Sequence, residues 1–508
     1  MTLLRSILAD ARLLARPSIL RPIAKQNLAV PLASNLRPLN SKALLHTRGP
    51  LSHSIYNNAL GNTSAAAATA ARRFSSLRTV LNTAKTAAGT VDASQAAEQA
   101  GIKSAPSVAY WLIGTSGLVF GIVILGGLTR LTESGLSITE WKPVTGALPP
   151  MSQADWEEEF RKYRESPEYK QLNAGMSLDD FKFIFFMEWF HRLWGRAIGV
   201  VFVLPAIYFM ATKKTSSQVN KRLIALGSLL ALQGFIGWWM VESGLDQKQL
   251  DARRSKPTVS QYRLTTHLAT ACLLYLGMLT TGFDILRENK WFKNPGEALK
   301  VFGKLDNPAV RSVRLFAAAM LVCSFVTALS GGMVAGLDAG FIYNTWPKMG
   351  DRWMPTRREL MDPAFARKED KSDLWWRNVL ENPTTVQLVH RDFAYLTFLG
   401  IFALHMLGIK RKAFVPSNAQ WSMRALMGLV TLQITLGVFT LLTVVQTHVA
   451  ATHQAGALAV LTSALILVNQ MKRPRVAVRN VINSSMASRL NNQASSRIMS
   501  EASKLVSK

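Results

Sequence analysis

Acid and cysteine are what this chain has least of. Its 508 residues include only 31 Asp and Glu against 59 Lys and Arg, and just two cysteines. Cys272 and Cys323 stand alone inside apolar runs, with no CxxC and no zinc-type spacing, so the sequence offers neither a disulfide scaffold nor a structural zinc site. Charged residues make up 18% of the chain and hydrophobic residues 49%, a balance that excludes an ordinary soluble enzyme and indicates a polytopic membrane protein. The formal net charge of +28 would suggest a nucleic-acid partner in a soluble domain. Here the excess sits in the leader, the tail and short connections beside apolar runs, so no nucleic acid is expected.

Before Asp92 the one acid is Asp10, while Arg5, Arg12, Arg16, Arg21, Arg37, Arg48, Arg72, Arg73 and Arg78 recur among Ser, Ala and Leu. This is the composition of a mitochondrial transit peptide. Arg72-Arg73-Phe74-Ser75-Ser76 has the form of a matrix-protease site, so residues 1–74 are expected to be the presequence and 75–107 a matrix segment.

A membrane helix needs about 20 mostly apolar residues. The stretches 108–129, 183–211, 222–242, 264–286, 313–334, 385–409, 423–445 and 447–470 meet that length. The connection with Lys213, Lys214, Lys221 and Arg222 and the one with Lys410, Arg411, Lys412 and Arg424 contain no acid, and Lys472, Arg473 and Arg475 lead the tail. These segments are expected on the matrix side by the positive-inside rule, which puts both termini in the matrix. Loop 131–182, rich in Asp and Glu, and the balanced loop 338–384 then face the intermembrane space. Trp156, Phe160 and Tyr163 in the first of these suit either an amphipathic helix on the membrane surface or a solvated loop.

The second half repeats the first. His191-Arg192 is matched by His390-Arg391, Leu232-Gln233 with Gly237 by Leu432-Gln433 with Gly437, and Gly126-Gly127 by Gly331-Gly332. Histidine and glutamine are 42 residues apart in one half and 43 in the other. The fold class predicted is therefore an all-α polytopic membrane protein, its eight transmembrane helices forming two pseudo-symmetric four-helix bundles. The first bundle spans 108–286, a matrix linker 287–312, the second bundle 313–470, and a basic matrix tail 471–508.

His191, His267, His390 and His453 all open even-numbered spans, so they share one depth, toward the intermembrane space. An ionisable group in hydrocarbon usually marks function, and facing helices of a bundle can ligate a heme iron from both sides. The repeat pairs His191 with His267 and His390 with His453. His405, about 22 Å further along its helix than His390, falls outside this layer, and His448 does not share the face of His453. Glu188 lies on the face of His191; its counterpart is Gln387, and a di-iron centre would need more carboxylates. Glu188 can move protons or stabilise a developing cation, or fix the tautomer of a ligand histidine. Arg130, Arg192 and Arg391 are candidate partners of heme propionates, with interfacial snorkelling as the other reading.

Over residues 105–470 the chain resembles the heme A synthase family. The resemblance rests on Gly126-Gly127-Leu128-Thr129-Arg130-Leu131-Thr132, Ser134-Gly135-Leu136-Ser137, Glu140-Trp141-Lys142-Pro143, Glu188-x-x-His191-Arg192, His267, His390-Arg391 and His453. It implies heme O as substrate between His191 and His267, a heme b cofactor with His390 and His453 as axial ligands, and Glu188 as the catalytic residue. It also implies an oxidoreductase that takes the C8 methyl to a formyl group by successive oxidations, via an alcohol and a gem-diol that loses water, for cytochrome c oxidase biogenesis. Its expected setting is the mitochondrial inner membrane, with membrane lipid around it and a matrix ferredoxin system as electron donor. Heme O synthase, oxidase assembly factors and a second copy of the chain are further candidate partners. Some bacterial members carry a cysteine pair in the first outer loop; residues 131–182 contain none, so the chain resembles the cysteine-free branch. The competing readings are a non-catalytic di-heme cytochrome passing electrons, which leaves Glu188 unexplained, and a transporter, which leaves the histidine layer unexplained.

Overall fold

A computed structural model describes residues 92–142 and 145–506; the expected presequence, its cleavage motif and Pro143 lie outside the described residues. Among the described residues there is no strand, only an isolated bridge between Met349 and Arg352. Eight helices among the described residues are long and apolar enough to cross a membrane. They are α1 (Pro106–Leu131), α2 (Leu178–Ala211), α3 (Ser217–Leu245), α4 (Gln261–Lys293), α5 (Pro308–Gly336), α6 (Pro383–Lys410), α7 (Ser417–Leu442) and α8 (Thr447–Met471). Local chemistry sets several starts. Proline, whose missing N–H costs nothing there, opens α1, α5 and α6. Side chains of Ser177, Ser216 and Asn382 accept from the first-turn amides of α2, α3 and α6.

One expected span boundary is revised. The seventh span ends at Leu442 rather than 445, because Val444 and Val445 both take φ of 55° and turn the chain into α8. Segment 287–312 is mostly helical, α4 running on to Lys293 and a further helix covering Pro295–Asp306; the tail is also helical, over Val476–Val506. Loop 131–182 packs aromatic side chains onto the bundle. Its helix Gln153–Arg164, closed by a Ser152–Asp155 capping box, buries Phe160 and Tyr163 against Phe181 and Phe185 of α2. That contact explains why α2 begins at Leu178, well before its apolar stretch, and why His191 lies several turns inside its helix.

Within each half the helices pack as a ring, α1–α2–α3–α4 and α5–α6–α7–α8, and the halves meet through α1, α4, α5 and α8. Two glycines of the repeat make that junction. Gly127 of α1 lies beneath the Gln454 side chain of α8, and Gly332 of α5 beneath Leu268 and Thr265 of α4. Small residues let membrane helices approach closely where dispersion rather than the hydrophobic effect drives packing. At the opposite end from the histidines, buried Asp284 of α4 pairs with Arg222 (3.0 Å), Arg287 (3.0 Å) and Lys472 (2.8 Å), and accepts from Asn469 (3.0 Å). Buried Glu288, one turn further and paired with Arg475, is a glutamate the sequence reading left out of the spans.

Candidate functional site

Four histidines rest on four glycines. A Cβ built on Gly126 would lie 2.9 Å from Cε1 of His191; on Gly237, 3.1 Å from His267; on Gly331, 3.2 Å from His390; and on Gly437, 2.9 Å from His453. In every case the glycine belongs to the helix just before the histidine's own, so the repeat duplicates a seat as well as a side chain. A methyl group would force the ring to shift at Gly126 and Gly437 and to give by a few tenths of an ångström at Gly237 and Gly331, which is why glycine suits these places.

All four histidines line one cavity of about 1420 Å³, together with Glu188, Arg130, Arg192 and Arg391. Pockets for single small ligands run to roughly 300–1,000 Å³, so this one has space for more than one large group. The structure brings His191 within electrostatic reach of His267, and His390 of His453. Ser330 Oγ lies 2.7 Å from Nδ1 of His390, and Gln233 Nε2 lies 3.1 Å from Nδ1 of His267. The Nδ1 atoms of His191 and His453 are buried and meet no protein partner. Gln233 also donates to the His267 carbonyl (3.0 Å), and Gln433 to that of His453 (2.9 Å). In the repeat these glutamines are register marks; in the fold each holds the backbone of a histidine. His405 is absent from the cavity lining, and His448 is exposed near the start of α8.

These features fit flat tetrapyrroles: paired imidazoles, ring nitrogens without a protein partner, and a mainly apolar cavity. They do not fit a di-iron centre, since among the described residues no group of three or more His, Cys, Asp or Glu is placed to hold a metal ion.

Glu188 is 3% exposed and both of its oxygens are occupied. Arg192 donates twice to Oε1 (2.6 and 3.1 Å), while Ser137 Oγ (2.7 Å) and the Ile138 amide (2.9 Å) donate to Oε2. The segment Ser134–Ile138 thus folds back onto α2 to hold this carboxylate. Arg192 is further committed to the carbonyls of Ile138 (3.0 Å) and Glu140 (3.2 Å). In the second half the amide of Gln387 turns to the Tyr343 carbonyl (2.9 Å). Arg391 has sparser contacts, a 3.6 Å pair with Asp392 and a 3.5 Å contact to the Pro347 carbonyl. Arg130 crosses the junction to Asp338 at the end of α5 (2.7 Å), which Lys256 also holds (2.9 Å).

A second carboxyl lines the cavity. Glu168, in the short helix Pro167–Gln171, is 4% exposed and accepts from the Tyr163 hydroxyl at 3.0 Å. Burial pushes its pKa up to about 8, with the charges of Glu188 and Glu133 adding to the effect. A carboxyl raised in the fold stabilises it fully below the ordinary carboxylate value, and that contribution is lost as pH rises toward about 8. Nothing in the sequence marked Glu168 among the other acids of loop 131–182, because its burial depends on how that loop packs.

Fold and site together define a duplicated, all-α membrane bundle with a histidine layer near one end of a shared core cavity. The profile of the cytochrome oxidase assembly proteins, COX15-CtaA, matches residues 109–465, and the chain belongs to that family. It is 66% identical to heme A synthase COX15 of Saccharomyces cerevisiae over 407 residues, 80% of this chain and 83% of the relative. It is 42% identical to heme A synthase COX15 of Homo sapiens over 366 residues, 72% of this chain and 83% of that protein. A heme A synthase–mitochondrial ferredoxin fusion protein of Schizosaccharomyces pombe is 47% identical over 378 residues, 74% of this chain and 61% of the fusion.

Proposed function

We propose that this chain is a heme A synthase whose first half takes heme O between His191 and His267 and whose second half holds a heme b between His390 and His453. The oxidoreductase activity, heme O to heme A, is that of the relatives it matches at 66% and 42% identity. The division of labour rests on one observation: the cavity is deeper in the first half. Toward the matrix it follows α2 through Gly199 to Val203 and α3 back to Gly227, but in the second half it stops at Thr397 and Val430. In the repeat register Gly199 corresponds to Phe398 and Gly227 to Met427, so large side chains occupy the second-half counterpart of this groove. Ala231 and Gly234 line the groove and are exposed, so it opens sideways between α2 and α3 toward lipid. A farnesyl chain, which heme O carries and heme b lacks, matches a long apolar groove present in one half only.

Glu188 then stands beside the substrate as a fixed negative charge, set by Arg192, Ser137 and Ile138, where it stabilises positive charge developing at the oxidised carbon. The heme b, when bound, supplies one-electron redox chemistry. Arg391 is the arginine best available to propionates; Arg192 is engaged with Glu188, and Arg130 pairs with Asp338 and leaves its Nε without a protein partner. The ferredoxin fused to the S. pombe relative supports a ferredoxin-type electron donor. The mitochondrial inner membrane is the proposed setting, both termini in the matrix and the histidine layer toward the intermembrane space, as the basic connections at the far end support.

Heme extraction and mass analysis of protein purified from cells supplied with heme O tests this reading. Heme b together with heme A or heme O is the expected content. Heme b alone, with heme O available, would leave a di-heme electron carrier. The glycine seats give a half-selective check: Gly437→Ala is expected to empty the heme b site by displacing His453, and Gly126→Ala to cost heme O and heme A while heme b stays.

A further inference from the structure

Glu188 is poorly placed to exchange protons. Its oxygens already receive four donated hydrogen bonds, about the full acceptor capacity of a carboxylate, so an incoming proton must displace a donor. Yet each oxidation between a methyl and a formyl group moves protons in or out of the pocket along with its electrons, and only the closing loss of water from the gem-diol is proton-neutral. Some other group must exchange them with solution.

Of the remaining carboxylates that line the first half of the cavity or its mouth, most are committed. Glu140 pairs with Lys142 and Lys162, Glu242 with Arg263, Asp338 with Arg130 and Lys256, and Glu133 lies 3.7 Å from Lys256. Asp246 caps the helix Gln247–Arg253. Glu168 differs: it is buried, lines the cavity, has no cationic partner within ion-pair distance among the described residues, and its hydrogen-bond donor is a phenol. That phenol, Tyr163, itself accepts from Asn173 Nδ2 at 2.8 Å, beside the exposed residues Gln171 and Leu172. The carboxyl therefore sits between the substrate cavity and the outer face.

We propose that Glu168 is the proton-exchange group of the first-half site, passing protons between the substrate pocket and the outer solution by way of the Tyr163 hydroxyl, while Glu188 remains a fixed charge. This rests on the heme A synthase reading above. The groups facing Glu168 are Tyr163 from the helix Gln153–Arg164, Glu188 from α2, and Glu133 and Arg130 from the end of α1 and the turn after it; α3, against which its helix packs, brings Glu242, held by Arg263. The carboxylates oppose ionisation of Glu168 and Arg130 favours it, and burial tips the balance to the protonated form at neutral pH. A buried carboxyl that titrates near the working pH is suited to both taking up and releasing a proton. Glu168 acts through exchange and is a positioning residue for protons rather than a group in contact with the substrate.

The test compares full-length wild type with Glu168→Gln, which can still accept from Tyr163, and with Glu168→Asp and Tyr163→Phe. Three readouts are taken: heme content, the pH profile of heme A formation, and the carboxylic-acid C=O band in infrared pH titrations. Glu168→Gln is expected to keep its hemes, slow heme A formation about tenfold or more, and lose both the inflection near pH 8 and the matching band. Glu168→Asp restores part of the rate, and Tyr163→Phe keeps the band but slows turnover. An unchanged rate and profile in Glu168→Gln, or a wild type with no carboxyl band titrating in that range, overturns the proposal. If Glu168→Gln fails to assemble, the wild-type band and the Tyr163→Phe rate decide. Wild type that shows the band but makes no heme A would instead sink the synthase reading.

Discussion

Glu188→Ala is expected to stop heme A formation, by at least a hundredfold, with heme O or its alcohol accumulating in the purified protein. Removing one preorganised electrostatic contact at a developing charge costs about 10²–10³ in turnover. Here the loss also takes from Arg192 the carboxylate that receives two of its donated bonds. Arg192 keeps its bonds to the Ile138 and Glu140 carbonyls but loses its counter-charge, so the alanine variant combines a chemical with a structural defect. Glu188→Gln separates them: an amide still accepts from Ser137 or Arg192 but carries no charge. If the charge is what matters, the glutamine variant loses formyl production while keeping both hemes. Heme b content is the internal control, because Gln387 occupies the equivalent place in the second half. A glutamine variant with wild-type heme A output would reduce Glu188 to a tether for Arg192.

The second large effect comes from filling the groove between α2 and α3. Gly199→Phe with Gly227→Met copies the second half's own residues into the first. A Cβ at Gly199 meets nothing within 4 Å, and one at Gly227 meets only Phe202 at an ordinary 3.6 Å. Both changes also relieve the helix penalty of glycine, about 1 kcal/mol each. The double variant is therefore expected to fold and bind heme b normally but to lose heme O tenfold or more, measured as extracted heme per chain. Retention of heme O at the wild-type level would place the farnesyl chain elsewhere.

Much of this architecture was legible because membrane helices report themselves through length and hydropathy, and because a duplicated chain supplies its own comparison. The histidine layer followed from four residues at matched places. What stayed hidden needed contacts between distant segments. Ser137 is one serine among many until the turn after α1 brings it to Glu188, 51 residues on. Glu168 is one acid among many until Tyr163 and the aromatic cluster on α2 bury it. Hydropathy likewise placed the end of α7 three residues late, since Val444 and Val445 are apolar yet form the turn. Gly126, Gly237, Gly331 and Gly437 were visible as repeat marks, but their role as seats depends on ring geometry that spacing alone does not carry.

The junction between the halves has a thermodynamic consequence. Gln454 follows His453 directly, donates to the Val123 carbonyl of α1 at 2.8 Å, and lies on Gly127, the neighbour of the glycine that seats His191. Any movement of α8 that accompanied loading of the proposed second-half site would therefore reach the seat of the first. Binding free energies coupled in this way are reciprocal: whatever factor the cofactor adds to substrate affinity, the substrate returns to the cofactor. Protein emptied of the proposed second-half heme is then expected to bind heme O with changed affinity, and protein loaded with heme O to release the second heme at a changed rate, with no contact between the two ligands required.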